Sequence, residues 1–204
     1  MDIEQELDKY LDTQESPHKE RDYFYISEVG KSKKEIFESI RNKTSKKFEP
    51  RVKRILDNGN YMHMRYYKWF AEMGILRAVE ISAVENDLFH GRADCLVSDK
   101  EGKLWLIDLK SMSQWPFQKL KEANYEHKMQ LLMYMYYMKI DNGMILVECK
   151  DNQTIKIFKF EMNETNKKIC EKVIEEFKIL KENIKYNVIP SDEPIIIKEL
   201  AYEL

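Results

Sequence analysis

Two short stretches of this 204-residue chain place acids and a base where they could act together: Gly91-Arg92-Ala93-Asp94 and Ile107-Asp108-Leu109-Lys110. In the second, acid and lysine stand two residues apart. On a strand that spacing sends both side chains from one face, about 7 Å apart. The rest of that strand is apolar, so a charged pair is costly there unless it has partners or work. Asp94 falls near the end of the preceding strand-like stretch and can approach Asp108 across a sheet. Two carboxylates converging beside a lysine would suit a hard divalent cation, Mg²⁺ or Mn²⁺. The matching chemistry is phosphodiester hydrolysis. A bound cation lowers the pKa of water and polarises phosphate, while the lysine orients the water or stabilises charge developing in the transition state. A bare D-x-K is common by chance as an ion pair on a solvated strand, so the neighbouring elements decide.

Those elements can be read from periodicity. Ile75 to Val84, Leu88 to Val97 and Lys103 to Lys110 read as three antiparallel-type strands. Turns at Glu85-Asn86-Asp87 and Ser98-Asp99-Lys100-Glu101-Gly102 join them. The third is apolar on both faces, which places it centrally in a sheet. Arg51 to Met73 has helical spacing, with a break expected at Asp57-Asn58-Gly59-Asn60 and a stop at Gly74. Ala123 to Ile140 is apolar almost all round and predicts a buried helix. Two strands (Gly143 to Lys150, Thr154 to Phe160) and an amphipathic helix (Asn163 to Ile184) follow. Tyr23 to Ser27 leads into a polar helix over Lys33 to Asn42, with Ser32 and Glu35 as a capping pair. The expected fold is α/β, a central mixed β-sheet flanked by helices. The expected division is an N-terminal extension (1–22), mobile or loosely docked, one domain (23–188) and a tail (189–204). In the tail, Ile195-Ile196-Ile197 could pair on an edge or dock on the core.

Further residues fall in order around the acids. Gly59 and His63 give a G-x-x-x-H spacing upstream, and an imidazole there could complete a metal shell. Gln130 and Tyr134 are four apart on the buried helix and share a face. The series Gly59–His63, Gly91–Asp94, Asp108–Lys110, Gln130–Tyr134 resembles the RecB-type branch of the PD-(D/E)XK nucleases, over roughly Tyr23 to Phe160. The resemblance implies a restriction-endonuclease-like core and a Mg²⁺- or Mn²⁺-dependent nuclease. In it, His63, Asp94, Asp108 and the Leu109 carbonyl are metal ligands and Lys110 is the catalytic lysine. Gln130 positions water or DNA, and Tyr134 contacts the strand or braces the site. The chain is similar to the CRISPR-adaptation nucleases but lacks their iron–sulfur cysteines. Cys95, Cys149 and Cys170 have no such spacing and Ser27 to Lys34 contains none, so no cluster is expected. A catalytically silent domain of this fold is the alternative. Such domains typically lose an acid or the lysine, and this chain keeps both.

Arg92 beside the first acid could touch a phosphate, and Glu80 on the preceding strand could support the site from behind or simply be solvated, the latter being the preferred reading. Trp115, Phe117 and Tyr125 could stack on unpaired bases or belong to the core. Composition sets the outer limits. A hydrophobic fraction of 43% can supply a core. With 34 basic against 36 acidic residues, nucleic-acid binding must come from a local patch. A run from Lys31 to Arg54 (Lys33, Lys34, Arg41, Lys43, Lys46, Lys47, Arg51, Lys53) could be that patch or a solvated surface. The implied partner is DNA, single-stranded or with free ends. A homo-oligomer or a replication or recombination partner is compatible with the low net charge. No apolar run spans a bilayer. Scattered, odd-numbered cysteines and an acidic, polar start predict a cytoplasmic protein, bacterial or of a phage-infected host.

Overall fold

The computed structural model describes residues 2–14, 21–41 and 48–193. Lys43, Lys46 and Lys47 of the basic run, and Ile195-Ile196-Ile197 of the tail, lie outside the described residues. In chain order the elements are α1 (Ile3–Thr13), β1 (Phe24–Tyr25), a 3-10 turn (Ile26–Glu28), α2 (Lys33–Arg41) and α3 (Pro50–Glu72). Then come β2 (Leu76–Glu85), β3 (Phe89–Ser98), β4 (Leu104–Met112), α4 (Gln114–Lys119) and α5 (Tyr125–Met138). The series ends with β5 (Asn142–Cys149), β6 (Ile155–Glu161) and α6 (Glu164–Lys185). The class is α/β, and the core is one mixed sheet flanked by helices.

The sheet runs β1-β3-β4-β5-β6, with β2 on the other edge of β3. β2, β3 and β4 pair antiparallel, and β4 pairs parallel with β5 through the α5 crossover. β4 is therefore interior, as its two apolar faces require. Its two faces feed different cores. Leu106 joins Leu131, Leu132 and Met135 of α5 and Phe177 of α6. Ile107 and Leu109 pack under Met62 and Tyr66 of α3.

β3 has an interrupted edge. β2 covers one side from His90 to Val97. On the other side β1 pairs with Phe89 and His90, and β4 pairs only from Cys95 to Ser98. On that second side, the stretch Gly91 to Asp94 between them faces no strand among the described residues.

Three elements depart from expectation. Residues 3–13 form a helix: Asp2 caps it through Gln5 N, and Leu11 is buried. The helix is held to α3 by an Asp8–Arg54 ion pair and by Lys53 Nζ on the Leu11 carbonyl, each at 2.5 Å. α3 is continuous through Gly59, around which an added Cβ would meet nothing within 4 Å. A helical glycine costs only about 1 kcal/mol against alanine, less than the flanking packing supplies. α4 had no clear sequence signal because Pro116 interrupts the pattern, yet proline is tolerated in a first helical turn. Three residues of the basic run are engaged within the chain: Lys33 pairs with Glu176, and Lys53 and Arg54 hold α1.

Candidate active site

The β3–β4 ladder ends at Cys95–Ile107. Asp94 and Asp108 are the next residue on each strand, so the parting of the strands brings both acids to one opening. Asp94 Oδ2 accepts the Leu109 N–H at 2.7 Å, standing in for the missing rung. N–H and C=O of one strand residue point the same way, so the Leu109 carbonyl also faces the opening. His63 of α3 reaches it, with Nε2 at 3.2 Å. A carbonyl only accepts, so Nε2 carries the proton and Nδ1 the lone pair, which lies 3.7 Å from Asp94 Oδ1.

The opposite side of the opening is built by β4 and α5. Asp108, 2% exposed, shares a face with Lys110, whose Nζ donates to Oδ1 at 2.9 Å. The same Nζ is 2.8 Å from Oδ2 without hydrogen-bond alignment, so this buried oxygen has a charge beside it and no donor. Lys110 also donates to Gln130 Oε1 at 3.3 Å, and Gln130 Nε2 donates to the Tyr134 hydroxyl at 3.3 Å. Burial pushes Asp108 up to about 6 against the opposing pull of Lys110, and it raises Asp94 as well. Burial and Lys110 together lower His63, which favours the neutral imidazole a ligand needs.

Of the expected site residues, His63, Asp94, Asp108, Leu109, Lys110, Gln130 and Tyr134 form one connected set. Arg92 stands at its margin, its Nε on Glu80 at 2.7 Å. Gly91 is needed for close approach: an added Cβ would sit 2.6 Å from Ile26 Cγ1 and 2.7 Å from Tyr134 Cε1. Gly59 has no such role.

Sequence reasoning missed Tyr67 and His127, and it favoured the wrong reading of Glu80. Glu80 is half-exposed but not merely solvated, since it accepts from the Tyr67 hydroxyl at 2.9 Å as well as pairing with Arg92. Its φ of 50° is the left-handed region, strained for a non-glycine residue and worth noting beside a site. Tyr67 follows His63 by one helical turn, with its oxygen 3.5 Å from Nδ1, and that i,i+4 spacing could have revealed it. His127, three residues before Gln130, is lowered to about 4 by burial and by Lys110.

The donor set fits a hard divalent cation: two carboxylates, a carbonyl and one neutral imidazole, with a buried carboxylate oxygen that has no hydrogen-bond donor. Among the described residues no three His, Cys, Asp or Glu side chains close into a ready cage. The Leu109 carbonyl stands beside these side chains as a further donor, and Lys110 lies against Asp108. Cys95, Cys149 and Cys170 are separate, buried free thiols. No helix among the described residues is long and apolar enough to cross a membrane.

A sheet whose strands part over two acids, with D-x-K on a central strand, defines a nuclease core. The chain belongs to the PD-(D/E)XK nuclease superfamily, whose model matches residues 6–194. Members of that superfamily generally use divalent metals. No curated protein sequence matches the chain. Among solved structures, SSO0001 is similar at 18% identity and TM-score 0.57, over 99% of this chain and 93% of that one. An alkaline exonuclease (LHK-Exo) from Laribacter hongkongensis is similar at 14% identity and TM-score 0.54, over 98% of each chain. Its complex with dAMP gives a TM-score of 0.52 at 14% identity, over 81% of this chain and 91% of that one. At these identities the likeness is one of fold.

Proposed function

We propose that the protein is a metal-dependent deoxyribonuclease acting on single-stranded DNA or on free ends, as an exonuclease or end-processing enzyme. The observation that carries this is the meeting of Asp94, Asp108 and Lys110 where the β3–β4 ladder stops, with His63 and the Leu109 carbonyl beside them. His63, Asp94, Asp108 and the Leu109 carbonyl would hold Mg²⁺ or Mn²⁺. When bound, the ion would lower the pKa of a water and neutralise charge on the phosphate.

The chain's own groups supply the rest. Asp94 fixes the Leu109 backbone so that its carbonyl faces the opening. Lys110, steadied by Asp108 and Gln130, sets an ammonium against the charge that grows on the phosphoryl oxygens. Gln130 holds Lys110 and Tyr134 in register and has an amide suited to orienting water or a phosphate. Tyr134 would contact the substrate strand, as would Arg92 on leaving its pairing with Glu80. The fold shared with an alkaline exonuclease supports end-directed attack. A setting in recombination, repair or phage DNA metabolism would suit such an activity, and three unpaired thiols suit a reducing cytoplasm.

The test is incubation with end-labelled single- and double-stranded DNA, with competing RNA, in Mg²⁺, Mn²⁺ or EDTA. Metal-dependent cleavage of DNA is expected, with mononucleotide or short end products. DNA binding without cleavage under any metal would make this a silent member of the superfamily.

A further inference from the structure

Beside the acids, on the β1 side of the opening, lies a groove of about 440 Å³, within the range of small-ligand sites. β3 links it to the site. His90, Arg92 and Asp94 alternate along that strand, so they leave the same face in steps of about 7 Å. Tyr134 connects it from below, since it lines the groove and bonds to Gln130, which bonds to Lys110.

Three of the lining side chains are rings, Tyr25, His90 and Tyr134. Tyr25 and His90 are register partners on β1 and β3, and both line the groove. Their neighbours Phe24 and Phe89 point the other way, into the core. The His90 ring is stacked on Tyr23 at 3.5 Å and 8°, and Arg21 lies 4.5 Å from the Tyr25 ring centroid. The rings are thus braced from behind, while Tyr25 stays 41% exposed. Charge decides what they would take. Glu80 and Glu85 line the same groove, and Arg92 is paired with Glu80, so the walls offer no unbalanced cation for a phosphate. A planar, uncharged ring fits this lining better than a phosphate does.

We propose that the groove is a base-stacking subsite. An unpaired nucleobase next to the phosphodiester held at Asp94 and Asp108 rests against Tyr25 and His90. A base inside a duplex cannot enter, so the groove selects single-stranded DNA or a frayed end. The position of the scissile phosphate rests on the nuclease reading above; the stacking surface is read from Tyr25 and His90 alone.

The test is the affinity of wild-type protein, Tyr25→Ala, Tyr25→Phe and His90→Ala for an oligothymidylate, by fluorescence anisotropy in EDTA. A base-free sugar-phosphate oligomer of equal length serves as the comparison, and circular dichroism checks each fold. Stacking predicts a loss of roughly 5- to 100-fold for each alanine variant on oligothymidylate. Tyr25→Phe should bind as wild type, and the base-free oligomer should bind equally to all four. Unchanged affinity in folded alanine variants, or an equal loss on the base-free oligomer, would overturn the subsite. Cleavage of the same oligothymidylate in Mn²⁺ is scored separately. Base-dependent binding without cleavage would sink the nuclease reading and leave the subsite standing. Cleavage with base-independent binding would do the reverse.

Discussion

The Asp94 carboxylate accepts the Leu109 N–H at 2.7 Å, one residue beyond the last β3–β4 pair. Asp94 therefore has two tasks, closing a backbone hydrogen bond and offering a charged oxygen, and substitution should separate them. Asp94→Ala leaves a buried N–H without an acceptor and should lower unfolding free energy by about 1–3 kcal/mol. Asp94→Asn keeps an acceptor oxygen and should hold stability closer to wild type while losing metal affinity. Urea unfolding and Mn²⁺ titration calorimetry on both variants read the two effects; equal stability of both would remove the backbone role.

Acidification should stabilise the fold through Asp108. Burial raises its folded pKa to about 6, above the ordinary carboxylate value near 4. The folded state then binds the proton more readily than the unfolded chain, so stability from this group rises as pH falls from about 6 towards about 4. Other carboxylates titrate too, and Asp108→Asn isolates this one. In EDTA, wild type should gain stability relative to Asp108→Asn over that window; a flat or opposite difference would contradict the assignment.

Gly91→Ala should damage the site by crowding. Its Cβ would meet Ile26 and Tyr134 below 3 Å, and overpacking of this kind costs about 1–3 kcal/mol. Displacing Tyr134 also disturbs Gln130 and, through it, Lys110. A lower melting temperature with a reduced cleavage rate is expected, and a wild-type rate would show that Tyr134 can move without consequence.

His63 depends on a buried anchor one turn away. Arg65 donates to both oxygens of Glu148 on β5, and Tyr66 adds a bond at 2.8 Å. Glu148 is 4% exposed. Removing one partner of a buried pair costs about 3–5 kcal/mol, less here because Arg65 is half-exposed. Glu148→Ala should therefore unfold at lower urea and loosen α3. Mn²⁺ affinity should fall with it, although Glu148 touches no expected ligand.

Much of this arrangement was legible in the sequence because local and tertiary preferences agree. β4 is apolar on both faces and is interior; α5 is apolar all round and is buried. The D-x-K and Q-x-x-x-Y spacings each put two candidate groups on one face, and the fold then brings those faces together. Where tertiary contacts decide, the reading ran out. β1 is two residues long and exists through its pairing with β3. α1 was obscured by its charged composition, although Asp2 caps it and Leu11 docks it. The Tyr67–Glu80–Arg92 linkage joins three elements, and no periodicity within one of them announces it.

We propose that Asp108 and Lys110 are the working heart of the nuclease. Cleavage of end-labelled single-stranded DNA in Mn²⁺ by wild type, Asp108→Asn and Lys110→Ala tests it most directly, with circular dichroism confirming each fold. Wild type should cleave, and each variant should lose at least about a hundredfold in rate. Undiminished cleavage by a folded Asp108→Asn or Lys110→Ala protein would contradict the account.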